Sequence, residues 1–135
     1  MSLSSHPEQS VGLADHSRQL ALLAAKIADD NRAREILILD LREVTSVFDF
    51  FVIASGSSIR QLHAIADDIE KGVAETLGEK KLGIEGYSTG GWCLIDFGDV
   101  VVHLFDDASR EYYGLEELWG NARRLEFGSL NVVGS

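Results

Sequence analysis

The chain has 135 residues, 45% hydrophobic and 25% charged, with a formal net charge of −10 and a pI near 4.7. That length and balance predict one globular domain with a real core, and no apolar run approaches the length of a membrane span. The basic residues fall in short pairs among acids (Arg32 and Arg34, Lys80 and Lys81, Arg123 and Arg124), so direct nucleic-acid binding is disfavoured and a basic protein partner is favoured on charge.

Residues 1–15 are polar and rich in small side chains, and are expected to be a disordered segment ahead of the domain. They show no basic stretch followed by an apolar one, so no secretory signal is read there; Glu8, Asp15 and the lack of an early arginine argue against a transit peptide. From Ser17 the pattern turns helical, with Leu20, Leu23, Ala24 and Ile27 at three- and four-residue steps, fraying near Asp30-Asn31. Glu35–Leu41 (EILILDL) and Asp49–Ser55 (DFFVIAS) read as strands. Only about seven residues join them, too few for a parallel crossover, so they are expected to pair antiparallel.

Ser58 stands three residues before Gln61, the spacing of a capping box. The helix that follows carries Ile59, Leu62, Ile65, Ile69, Val73 and Leu77 on one stripe and is stopped by Gly78. It is expected to cross to a third strand near Leu82–Tyr87, parallel to the second. A turn at Thr89-Gly90-Gly91 leads into WCLIDFGDVVVHLF, Trp92–Phe105, read as a hairpin turning at Gly98-Asp99. Cys93, Ile95, Phe97, Val100, Val102 and Leu104 then share an apolar core face; Trp92, Leu94, Asp96, Val101, His103 and Phe105 share a mixed one. That mixed face either packs under a helix or offers its rim to a partner. Asp106 or Asp107 opens a helical region running to Leu125, with Gly114 as a break, and the tail from residue 128 to 135 is expected to be flexible. The sum is one α+β domain over 16–127, a mixed sheet of roughly five strands with flanking helices.

Chemistry-bearing patterns are sparse. The Gly56-Ser57-Ser58 turn opens a helix after a strand, a geometry suited to anions. It keeps a nucleotide-binding or nucleotidyltransferase-like enzyme as the alternative reading. Such an enzyme needs paired carboxylates for Mg²⁺, and the chain has no D-x-D. Cys93 faces the core while His103 faces away, so they form no thiol–imidazole pair. No zinc spacing occurs, and no metal or cofactor is expected. The single cysteine, Cys93, fits a reducing cytoplasm. What remains is aromatic surface: Trp92, Tyr112, Tyr113 and Trp119, residue types that anchor protein interfaces.

The run SVFDFFVIASGSS at 46–58, the following RQLHAIADDIE, then IEGYSTGGWCLIDFGDVVVHLF and REYYGLEELW, resembles the ribosomal silencing factor family (RsfS, or Iojap) over about residues 18–120. The W-x-L-x-D-x-G-D-x-x-V-H pattern from Trp92 to His103 and the Y-x-L-E-x-L-W from Tyr113 carry the likeness. Ile59 departs from the small polar residue usual after the serine. The resemblance implies a nucleotidyltransferase-like fold without catalytic carboxylates and no enzymatic activity. It implies a factor that docks on ribosomal protein fourteen of the large subunit, blocks subunit joining and represses translation, often as a homodimer. The family's binding face carries over to Trp92, with Asp96, Asp99, Tyr112 and Tyr113 placed beside it.

Overall fold

The computed structural model describes residues 2–88 and 91–126, with side chains over 16–88 and 91–125. The expected tail at 128–135 and the Thr89-Gly90 part of the turn lie outside the described residues. In chain order the elements are α1 (Ser2–Asp30), β1 (Arg34–Asp40), β2 (Phe50–Ser55), α2 (Ile59–Leu77), β3 (Gly83–Glu85), β4 (Trp92–Asp96), β5 (Val100–Phe105), α3 (Asp107–Tyr113), α4 (Leu115–Leu118) and β6 (Arg123–Glu126). The helical backbone of α1 begins ahead of the Ser17 start that periodicity suggested, and it ends at Asp30 as expected.

The six strands form one mixed sheet in the order β3-β4-β5-β2-β1-β6. β1 and β2 pair antiparallel, as their short connection required. β2 pairs parallel with β5, and every other pairing is antiparallel. Following those senses across the sheet, β3 runs parallel to β2 as predicted, but β4 and β5 lie between them. The reason is burial. β5 (VVVHLF) and β2 (FFVIAS) are covered on both faces and buried throughout, which suits the middle of a sheet. The three-residue β3 is half exposed and sits at an edge, where short strands limit unwanted pairing.

Alternation then makes two cores. On one face α1 places Leu20, Ala21, Ala24, Ala25 and Ala28, and α2 places Leu62, Ile65, Ala66, Ile69 and Val73, against Phe50, Val52, Cys93, Ile95, Phe97, Val100, Val102 and Leu104. All six residues assigned to the apolar hairpin face are in this core. The hairpin register is also as read: Cys93 opposite Leu104, Ile95 opposite Val102, and Phe97 N–H donating to the Val100 carbonyl at 2.9 Å. Gly98 closes the turn at φ +93°, a conformation costly for any residue with a Cβ. On the other face a smaller core gathers Leu37, Leu39, Phe51, Ile53, Val101, Phe105, Leu115 and Ala122, with Phe48, Trp92, Leu94 and Trp119 partly covered at its margin.

Two sequence expectations are corrected. The helical region expected up to Leu125 is instead two short helices followed by a strand: α3 stops at Gly114, which adopts the left-handed conformation, and β6 pairs with β1, Leu125 opposite Ile38. The sheet therefore has a sixth strand. The α2 stripe also starts one turn later than read, since Ile59 is exposed and Leu62 is its first buried residue.

Candidate functional site

Trp92 opens β4 directly opposite Phe105, the last residue of β5. Its ring lies over Phe105 at 5.0 Å between centroids and 29° between planes, and meets Tyr113 at 4.5 Å. Its indole N–H donates to Nδ1 of His103 at 3.2 Å. Tyr113 reaches the cluster because the chain reverses at Asp106. The Asp106 amide donates to the Gly91 carbonyl at 2.9 Å, and its carboxylate caps α3 by accepting from the Ser109 amide at 2.8 Å. One turn on, the buried Arg110 fastens α3 to the sheet: its guanidinium donates to Ser55 Oγ at 2.8 Å and to Glu116 at 2.7 Å. The helix then ends with its two tyrosines outward. Tyr113 is 50% exposed and Tyr112 82% exposed, and the two rings meet edge to face at 5.1 Å.

The structure thus brings Trp92, Tyr112 and Tyr113 together. Asp96 and Asp99 are at the opposite end of the hairpin, about 13 Å along the strand at roughly 3.3 Å per residue. Asp96 shapes the turn by accepting from the Gly98 amide at 2.7 Å, and its backbone carbonyl accepts from Leu82. Asp99 is exposed, and its carbonyl accepts from the amides of Asp49 and Phe50 at 2.7 and 3.2 Å. Trp119, the other aromatic in the region, is half-buried against Phe51 at 5.8 Å, while Leu118 beside it is exposed. The mixed hairpin face is roofed by α3 and α4 toward β2 and β1, as the first of the two readings from the sequence had it, and is half open at its Trp92 margin.

Sequence reasoning missed the role of His103. It is 4% exposed among Phe51, Trp92 and Phe105, and burial pushes its pKa down to about 4. Its Nε2 has no hydrogen-bond partner among the described residues. Alternation puts His103 and Trp92 on one face, which was legible; that the imidazole accepts from the indole was not. Cys93 is on the opposite face, and burial raises its thiol to about 11, well above the thiolate range.

The Gly-Ser turn is already engaged. Gln61 Oε1 accepts from the Ser57 amide at 2.7 Å and its hydroxyl at 2.9 Å, and Ser58 Oγ accepts from the Gln61 amide at 3.1 Å. Two of the groups an anion would use are therefore held by the chain itself. Among the described residues no cluster of three or more His, Cys, Asp or Glu side chains is placed to hold a metal ion. Among the described residues no helix is long and apolar enough to cross a membrane. An acidic depression beside α3 is lined by Glu35, Asp107, Glu111, Glu116 and Glu117, with Arg110 and Arg124.

Fold and face together define a small α+β domain that carries a half-exposed aromatic cluster at one end of its sheet. A family model described as "Ribosomal silencing factor during starvation" matches residues 14–133. The chain belongs to this family of ribosomal silencing factors. It is 42% identical over 115 residues to the ribosomal silencing factor RsfS of Bacillus subtilis, covering 84% of this chain and 97% of that one. It is also 34% identical over 113 residues to the mouse "Mitochondrial assembly of ribosomal large subunit protein 1", covering 80% of this chain and 49% of that one. The crystal structure of a Chromobacterium violaceum protein superimposes with a TM-score of 0.73 at 38% identity, over 76% of this chain and 85% of that one.

Proposed function

We propose that this protein silences ribosomes by docking on the large subunit through ribosomal protein fourteen and standing where the small subunit must join. The observation that carries the reading is the Trp92–Tyr112–Tyr113 cluster: large aromatic surface held on a rigid sheet end, half open to solvent. Buried aromatic anchors dominate the energetics of protein interfaces. Family membership supplies the ribosomal setting, and the mouse relative's name points to the large subunit. The net charge of −10 suits a basic ribosomal protein, and long-range attraction between opposite charges speeds encounter. Asp99, exposed at the far turn, belongs to the rim of the same face; Asp96 supports that turn.

Steric occlusion needs no bond made or broken. An interface on the order of 800 Å² on each partner suffices. In this reading the protein is no enzyme and acts as a translational repressor in the cytoplasm, without cofactor or metal, and a second copy of the chain pairs with it when free.

The test is equilibrium binding to purified large subunits. Trp92→Ala is expected to weaken binding by roughly thirtyfold or more, the effect of losing an interface anchor. Asp99→Arg is expected to weaken it less, with the loss fading at high salt. Wild-type affinity in both variants contradicts the assignment of the face. Light scattering at several concentrations reads the pairing.

A further inference from the structure

The buried imidazole of His103 is the least explained polar group of the domain. It stands on β5, between β4 and β2 in the sheet, paired across to Leu94 and Ile53. Phe51 meets it edge to face at 4.5 Å and Phe105 lies parallel to it at 6.3 Å. An indole N–H can only donate. The 3.2 Å contact with Trp92 Nε1 therefore requires a lone pair on Nδ1, which puts the proton of the neutral ring on Nε2. That nitrogen is buried and has no partner among the described residues. A leucine or phenylalanine here would remove the unpartnered Nε2–H but would also take away the acceptor of the Trp92 indole, so the histidine is not explained by packing alone.

We propose that His103 is a positioning residue for the docking tryptophan: its Nδ1 lone pair fixes the rotation of the Trp92 indole and thereby sets affinity for the ribosomal partner. The inference rests on the docking face proposed above. The ring contacts of Trp92 with Phe105 and Tyr113 constrain the indole's plane loosely, because stacked and tilted aromatic pairs tolerate a range of offsets. The hydrogen bond to His103 adds a directional constraint. The acceptor belongs to a central strand that cannot shift without breaking pairing on both sides, so the anchor is ordered before the partner arrives. Ordering ahead of binding is the general route by which a fixed set of contacts yields higher affinity. Burial keeps the ring neutral, so the lone pair is present at neutral pH.

The experiment has one arm without ribosomes and one with. In the free protein, imidazole ¹⁵N shifts read the tautomer and hydrogen exchange reads the Trp92 indole N–H. Wild type is expected to carry the proton on Nε2 and to protect the indole. His103→Leu is expected to speed indole exchange about tenfold or more while backbone amides in β2 and β5 keep their protection. His103→Asn, whose side-chain oxygen can replace Nδ1 as acceptor, is expected to restore most of it. In the second arm, affinity for large subunits is measured in a double-mutant cycle with Trp92→Phe, which keeps an aromatic ring and drops the N–H. His103→Leu is expected to weaken binding about tenfold in the wild-type background and hardly at all in Trp92→Phe. A merely structural histidine would weaken both equally, and that result overturns the inference. So does a proton found on Nδ1 in wild type, a measurement that stands even where His103→Leu fails to fold. If instead Trp92→Ala binds large subunits as tightly as wild type, the docking face is wrong, and the ribosome-free arm still decides whether His103 holds the indole.

Discussion

Gly86 shows how a single backbone position holds the candidate site. It leaves β3 at φ +77°, and a Cβ there would fall well inside contact with the Trp92 carbonyl oxygen. The approach brings the loop down on the start of β4, and His63 stacking on Tyr87 at 3.9 Å, with the Tyr87 hydroxyl donating to Asp67 at 3.0 Å, ties the same loop to α2. Gly86→Ala combines a left-handed backbone with a backbone clash. It is expected to destabilise the domain by about 2–4 kcal/mol in chemical denaturation; a midpoint equal to wild type contradicts the described loop. His103 makes a second prediction at this scale. Burial lowers its pKa from 6.5 to about 4, so between those values the unfolded chain binds a proton that the folded one does not. Its contribution to stability is fully present above pH 6.5 and falls as pH drops toward 4, by about 3 kcal/mol over the window. His103→Leu removes that titration, so the wild-type-minus-mutant difference in unfolding free energy should decline through this window; a flat difference contradicts the buried neutral ring.

Among the elements, the start of α2 is tied to two neighbouring turns by one side chain. Gln61 accepts from Ser57 through Oε1 and donates through Nε2 to the carbonyls of Asn31 and Arg32 at 3.2 and 3.1 Å. It thus couples the start of α2 to the turn between α1 and β1. Gln61→Ala is expected to cost about 2 kcal/mol by thermal or chemical unfolding, through the lost cap partner and two carbonyls left unmatched. A change within experimental noise would show the coupling to be idle. The Ser58–Gln61 spacing made this helix start legible, and the Gly98 turn with its flanking alternation made the β4–β5 hairpin legible to the residue, because side-chain period and turn chemistry are local properties. β6 was not legible. RRLE is four residues long and polar at three positions, and the apolar residues from Tyr112 to Leu125 also fit a helical period; only pairing with β1 decides between them. For the same reason the edge position of β3 escaped the sequence, since strand order is set by which strands must be covered on both faces. Of the site, the shared face of Trp92 and His103 could be read from alternation. Joining Tyr113 to it depended on the reversal at Asp106, and the indole–imidazole bond depended on a tautomer that no spacing reveals.

At the scale of the whole molecule, the two cores divide the labour. The larger one, under α1 and α2, stabilises a rigid slab; the smaller one ends in an open aromatic margin at the Trp92 end. The chain as a whole is acidic, with a net charge of −10. Those features suit a body that binds a basic protein and excludes a competitor by its bulk. The most direct test of that account is sedimentation of ribosomal subunits recombined under joining conditions with a molar excess of the protein. Wild type is predicted to shift material from joined ribosomes to free subunits and to travel with the large subunit, and Trp92→Ala is predicted to do neither. A yield of joined ribosomes unchanged by wild-type protein that is bound to the large subunit would contradict occlusion.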